Sequence, residues 1–192
     1  MKKVFVLIAS AIVCVSAMAQ VQFGAKVGVD ATNFWGKNVE HGMQLNYQVG
    51  VLMEYKFTDK FAIAPEVVFA AQGGKYKVAE VGDKKISNKY ITNYINVPVM
   101  LKYYVSPSFS IDLGPQVGFN VYSKFKAGDE KSVDIKDATK KVDFGVGLGG
   151  TYNLTENAFV QARYTMGMTN AFKGEDAKAK NGNIQLAFGM KF

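Results

Sequence analysis

His41 is the only histidine in the chain, and Glu40 precedes it. An imidazole beside a carboxylate is the pairing from which a general base can be built. A lone histidine cannot supply a multi-histidine zinc site. The pair lies in a polar stretch between two apolar ones, where a solvated loop histidine is the simpler reading, and no catalytic residue is assigned. "GVGLGG" (145–150) has the glycine spacing of a dinucleotide fingerprint, and "DFG" (143–145) that of a magnesium-binding kinase motif. Both chemistries need a strand that runs into a helix or a metal loop. Here the glycines alternate with Val146 and Leu148, as they would inside a strand. Cys14, the only cysteine, falls in the N-terminal apolar run, so the remainder has no thiol chemistry, disulfide or cysteine metal site. No cofactor and no metal is expected.

The richer chemistry is ionic. Lys26, Asp30, Glu54, Lys56, Glu66, Lys102, Asp112, Asp143, Arg163 and Lys191 each fall at a polar position of a stretch that alternates polar and apolar residues. Five are basic and five acidic, so such a set can pair with itself if one face is enclosed. Glu54, Glu66, Lys102, Asp112, Asp143 and Arg163 are the expected network.

The stretches that must position these groups have period two, the mark of β-strands with one apolar and one polar face. In "VQFGAKVGVDA" (21–31), Val21, Phe23, Ala25, Val27, Val29 and Ala31 alternate with polar or small residues. The pattern returns in 45–57, 61–72, 94–104, 109–122, 142–152, 159–169 and 183–192, giving eight predicted strands. Ten glycines share the polar face (24, 28, 50, 114, 118, 145, 147, 149, 167 and 189). Small residues suit the narrow interior of an eight-stranded barrel and would only weaken a solvated outer face. The polar face is therefore read as the inside. The competing class, a soluble lipocalin-like binding barrel, needs Val27, Val49 and Leu113 packed inward. Pro65, Pro98 and Pro115 sit inside strands, where each forfeits a ladder hydrogen bond, so bulges or local gaps are expected there.

The connections alternate in length. Tight turns follow the second, fourth and sixth strands: "TDK" (58–60), "VSPS" (105–108) and "LTEN" (154–157). Long polar loops follow the first, third, fifth and seventh, at 33–44, 73–90, 123–141 and 170–182. Short turns on one side and long loops on the other characterise a transmembrane up-and-down barrel. The long loops hold 15 Lys against 9 Asp and Glu, which accounts for the basic balance of the chain. Such loops can be solvated or can lie against lipopolysaccharide phosphates. Aromatic residues gather near the strand ends in two expected girdles. One is Tyr55, Phe57, Phe61, Tyr103, Tyr104, Phe109 and Tyr152; the other is Phe34, Trp35, Phe69, Phe119, Tyr122 and Phe125. Trp35 has a second reading as a carbohydrate-binding platform.

The chain opens with Lys2 and Lys3, an apolar run from Val4 to Val15, and Ala17-Met18-Ala19. That is the layout of a secretory signal peptide, 1–19, cleaved between Ala19 and Gln20, and the run is too short to span a membrane as a helix. Residues 20–192 then form one domain. Without Lys2 and Lys3 the formal charge falls from +7 to +5. Secretion and the confinement of the net positive charge to loops argue against nucleic acid as a partner, despite a pI near 9.3.

"APEVVF" (64–69), "YINVPVMLKYY" (94–104), "DLGPQVGF" (112–119), "DFGVGLGGTY" (143–152) and "ARYTMGMTN" (162–170) resemble the successive strand motifs of the outer-membrane β-barrel domain family, often called porin-family proteins. The resemblance covers essentially the whole mature chain, and the three prolines lie where that family's pattern has proline. It implies an all-β, eight-stranded antiparallel up-and-down transmembrane barrel in a Gram-negative outer membrane. It is similar to small barrels of the OmpA and OmpX type, with four long extracellular loops and short periplasmic turns. Phe192, preceded by Met190, Phe188, Leu186 and Ile184, resembles the terminal aromatic signal read by the barrel assembly machinery. The expected role is structural or surface-interacting, through the basic loops of a monomer whose lumen side chains fill, in contact with outer-membrane lipid and lipopolysaccharide. What the loops bind is not legible. A narrow channel or a barrel enzyme involving His41 is the alternative.

Overall fold

The computed structural model describes residues 20–35, 43–81, 84–126, 132–136, 139–171 and 179–192, and of 34, 75–81 and 84–89 the backbone alone. His41, Glu40 and the signal segment through Ala19 lie outside the described residues. The chain is almost entirely strand: β1 (Val21–Trp35), β2 (Gln44–Lys56), β3 (Phe61–Val81), β4 (Lys84–Ser106), β5 (Phe109–Lys126), β6 (Val133–Asp134), β7 (Val142–Asn153), β8 (Ala158–Asn170) and β9 (Lys180–Lys191). Eight long strands pair antiparallel with their neighbours in chain order, and β9 pairs back onto β1, from Gly24 opposite Lys191 to Trp35 opposite Lys180. The sheet has no free edge, and the two-residue β6 is an outlier attached to β5.

Alternation decides which side chains face in. Val27, Val49, Leu101, Leu113, Leu148 and Leu186 are exposed on the outer wall, while Lys26, Gln48, Lys102, Asp112 and Gln185 are buried inside. A soluble barrel would invert this, so the outer wall is a lipid-facing surface. The turns between β2 and β3 and between β7 and β8 share one device. Thr58 Oγ1 accepts the Phe61 N–H and Thr155 Oγ1 the Ala158 N–H, each at 2.9 Å. The hydroxyl satisfies the backbone locally, and the strand reverses within four residues.

Two features differ from expectation. Of residues 73–90, read as loop, 73–81 and 84–90 are ribbon: β3 and β4 stay paired through Val81 opposite Lys84. Beyond the lipid a ribbon needs no apolar face, and in "KYKVAEV" (75–81) the alternation breaks after Val78. Gly73 stands where β3 leaves the barrel, with φ 140° and room for no Cβ, since one would lie 2.0 Å from the Tyr90 carbonyl oxygen. Part of 123–141 is likewise strand, with Lys124 opposite Asp134.

The prolines produce gaps rather than slips. Pairing between β2 and β3 lapses at Met53 and Glu54 against Ala64 and Pro65, then resumes in the same register. Between β3 and β4 it lapses at Glu66 and Val67 against Val97 and Pro98, and between β4 and β5 at Val99 and Met100 against Gly114 and Pro115. Each proline thus interrupts the ladder to the preceding strand and keeps its partner on the following one: Val99, Gln116 and Val146. The three gaps adjoin and form an oblique seam across three of the eight strand-to-strand interfaces of the wall. A register slip occurs elsewhere, where Asn93 pairs with Tyr122 but Tyr94 with Asn120, so Val121 is the extra residue of a bulge.

Candidate functional site

The lumen holds the concentrated chemistry. From the short-turn end, Lys191 Nζ donates to Glu54 Oε2 at 2.9 Å, and the Tyr104 hydroxyl donates to Glu54 Oε1. Lys102 stands between Glu54, at 3.7 Å, and Asp112, at 3.3 Å. Asp112 also accepts from Ser110 at 2.7 Å and Thr151 at 2.5 Å. Gln161 donates to Thr151 at 3.1 Å and accepts from Lys26 at 2.8 Å. Lys26 reaches Glu66 at 2.6 Å, and Arg163 grips both oxygens of Glu66 at 2.7 and 3.0 Å. Every one of the eight wall strands contributes to this single connected network. β3 and β8 stand opposite each other in the ring, so the Glu66–Arg163 pair ties the barrel across its full width.

Of the six residues proposed from sequence, the structure brings together Glu54, Glu66, Lys102, Asp112 and Arg163, and leaves Asp143 apart. Asp143 accepts from the Thr169 hydroxyl and from Asn181 at 2.7 Å, near the long-loop end, and forms no ion pair among the described residues. Lys26 and Lys191 belong in the network instead. The charge balance carried that signal: four carboxylates against two cations require further bases, and both lysines occupy polar-face positions. Tyr104, expected in the outer girdle, points inward and is 4% exposed. Tyr94, Met100 and Phe159 also fill the lumen. Gly189 makes room for Phe159, whose ring lies 2.2 Å from where a Cβ would be. Inward aromatics opposite glycines are invisible to a reading that sorts residues only by polarity.

Above the ion pairs the lumen is polar but scarcely charged. Asp30 accepts from Gln48 at 2.8 Å and Asn183 at 3.5 Å. Gln72, Gln116, Asp143, Thr165, Asn181 and Asn183 surround a void of about 10 Å³, the size of a single water. Below, at the short-turn mouth, an open depression of about 430 Å³ is lined by residues including Gln22, Lys56, Ser108, Glu156 and Lys191. Among the described residues no three His, Cys, Asp or Glu side chains converge as a metal site would require. Gly145, Gly147 and Gly149 lie in β7, paired on both sides, with no helix following. Trp35 is engaged within the wall: its indole N–H donates to the Asn181 carbonyl at 3.1 Å and Lys180 covers its ring at 4.9 Å. Phe192 is 67% exposed, with its N–H on the Phe23 carbonyl at 2.8 Å.

A closed barrel with an apolar outer wall, an aromatic rim and a polar lumen defines an integral outer-membrane protein. The chain belongs to the outer membrane protein beta-barrel domain family, whose model matches residues 16–173. A search of curated proteins found no match. Among solved structures the barrel is similar to Ail, the attachment invasion locus protein of Yersinia pestis, at 15% identity and a TM-score of 0.51, covering 90% of this chain and 99% of that one. Ail in complex with the heparin analogue sucrose octasulfate gives a TM-score of 0.52 at 15% identity, over the same shares of the two chains. Neisserial surface protein A is similar at 14% identity and a TM-score of 0.55, over 88% of this chain and 97% of that one. At these identities the likeness is one of fold.

Proposed function

We propose that the protein is a plugged outer-membrane barrel, a structural and surface-interaction element that presents basic extracellular segments and conducts no solute. The observation that carries this reading is the network joining all eight wall strands through the lumen, with its charged members almost wholly buried. An eight-stranded interior is narrow enough for side chains to fill. Reconstitution in planar bilayers should give no steady conductance; large, stable openings would overturn the plug and favour the narrow-channel reading.

The same proposal assigns no catalysis. Anionic surfaces are the class of ligand that the loop lysines fit, and Ail, crystallised with a heparin analogue, offers a parallel on a similar barrel. Outer-membrane lipid, including lipopolysaccharide, surrounds a monomeric wall on this reading. Residues 1–19 act as the export signal, removed between Ala19 and Gln20. Phe192, at the short-turn end, is the residue offered to the assembly machinery.

A further inference from the structure

Asp143 is left over when the charges of the lumen are matched. Lys26, Lys102, Arg163 and Lys191 are buried against Asp30, Glu54, Glu66 and Asp112, four of each sign. Lys56, a further inward cation, stands at the opposite mouth over the Tyr104 ring at 4.4 Å. Lys140 attracts Asp143 through space but forms no ion pair with it. Thr169 and Asn181 orient the carboxylate by donating to it, and neither supplies charge. A carboxylate withdrawn from water without a counter-charge is costly, so this position attracts a cation.

The void beside Asp143 has the dimensions and the lining for one. Gly145 and Gly167 stand directly opposite each other in β7 and β8 and bring no side chain into the lumen. A Cβ on them would lie 2.9 and 2.8 Å from the carbonyl oxygens of Met166 and Asn181. The void they border measures about 10 Å³, room for one water-sized particle. Two residues that line it, Thr165 and Asn183, each bury an oxygen, Oγ1 and Oδ1, that has no hydrogen-bond partner. They are 5% and 3% exposed and face each other across β8 and β9. Gln72 and Gln116 add carboxamides from β3 and β5. A carboxylate among hydroxyl and amide oxygens is the ligand set of a hard cation. With no second or third carboxylate converging there, the charge matches a monovalent ion. Water could bridge the same oxygens, but it would leave the charge of Asp143 unmatched.

We propose that Asp143, Thr165 and Asn183 hold a dehydrated, sodium-sized cation near the long-loop end of the lumen. The Glu66–Arg163 pair crosses the barrel below them, so the ion enters and leaves on the long-loop side and does not pass through. The test uses the full mature barrel folded in detergent. It is melted in choline chloride, with sodium, potassium or caesium chloride substituted at constant ionic strength. Sodium should raise the midpoint saturably, potassium less, and caesium not at all. D143N keeps the shape of the side chain, removes its charge, and should lose the sodium-dependent shift. T165V removes one oxygen and leaves the carboxylate, and should raise the half-saturating sodium concentration roughly tenfold, the scale for loss of one partner at a metal site. D59N, an equal loss of charge on an exposed turn at the other end, should keep the shift of the unaltered barrel. Equal midpoints of the unaltered barrel in every salt would show that the void takes water and would overturn the proposal. So would an equal response to caesium, or a sodium response retained in D143N. Heat-modifiable mobility reports whether each variant is folded. Should D143N not fold, T165V carries the test, and an unshifted sodium titration in it overturns the site.

Discussion

Glu66 accepts from Lys26 and from both terminal nitrogens of Arg163, so one carboxylate neutralises two cations that come from different walls. Removing one member of a buried pair costs more than the pair is worth, because the remaining charge is stranded away from water. The asymmetry here makes a ranking. Glu66→Gln leaves Lys26 and Arg163 facing each other with no anion between them, and should cost about 3 to 5 kcal/mol. Arg163→Met leaves Glu66 still bonded to Lys26 and should cost less. Urea midpoints of the refolded barrel in detergent would test the order, and equal losses would count against Glu66 as the shared centre. The sequence reveals that these side chains face inward, because period-two alternation assigns faces. It does not reveal their depth, which depends on how far each strand is staggered against the next. That is why Asp143, on the correct face, is at the wrong level for the ion pairs, while Lys191, on the same face, reaches Glu54.

At the level of the strands, the oblique seam of three prolines interrupts the ladder at three adjoining interfaces. In a bilayer an unpaired backbone group costs several kcal/mol, so a closed ladder tolerates such gaps only where its other bonds are secure. The ladders joining β1 to β2 and β1 to β9 are unbroken over twelve paired positions each. Hydrogen exchange should therefore be faster, on average, over residues 53–54, 66–67 and 99–100 than over 24–31, as read by NMR in micelles. Uniform protection would show that the lapses in pairing carry no energetic weight. Gly114 lies in the seam, where a Cβ would stand 2.0 Å from the Val99 carbonyl oxygen, so the two backbones approach there more closely than any other residue allows. All eight wall strands were legible because lipid on one side and packed charge on the other enforce alternation. The ribbon at 75–89 was not, because water on both faces imposes no such pattern.

For the molecule as a whole, closure depends on the last strand finding the first, and Phe192 completes that contact from an exposed position. Deleting Phe192 should lower the amount of heat-modifiable protein in outer-membrane fractions while leaving the thermal stability of the assembled barrels little changed. Normal insertion of the truncated chain would show that the terminal aromatic is not a targeting signal. Charge is divided just as sharply between wall and rim. The buried set contains Lys26, Lys102, Arg163 and Lys191 against Asp30, Glu54, Glu66 and Asp112, four of each sign, while the excess of lysine lies outside. Dissolved ions screen exposed charges over about 8 Å at physiological strength but reach enclosed pairs far less. Changing salinity therefore alters how strongly the exterior holds an anionic neighbour and leaves the bonds across the lumen intact: the protein can release what it touches without loosening itself.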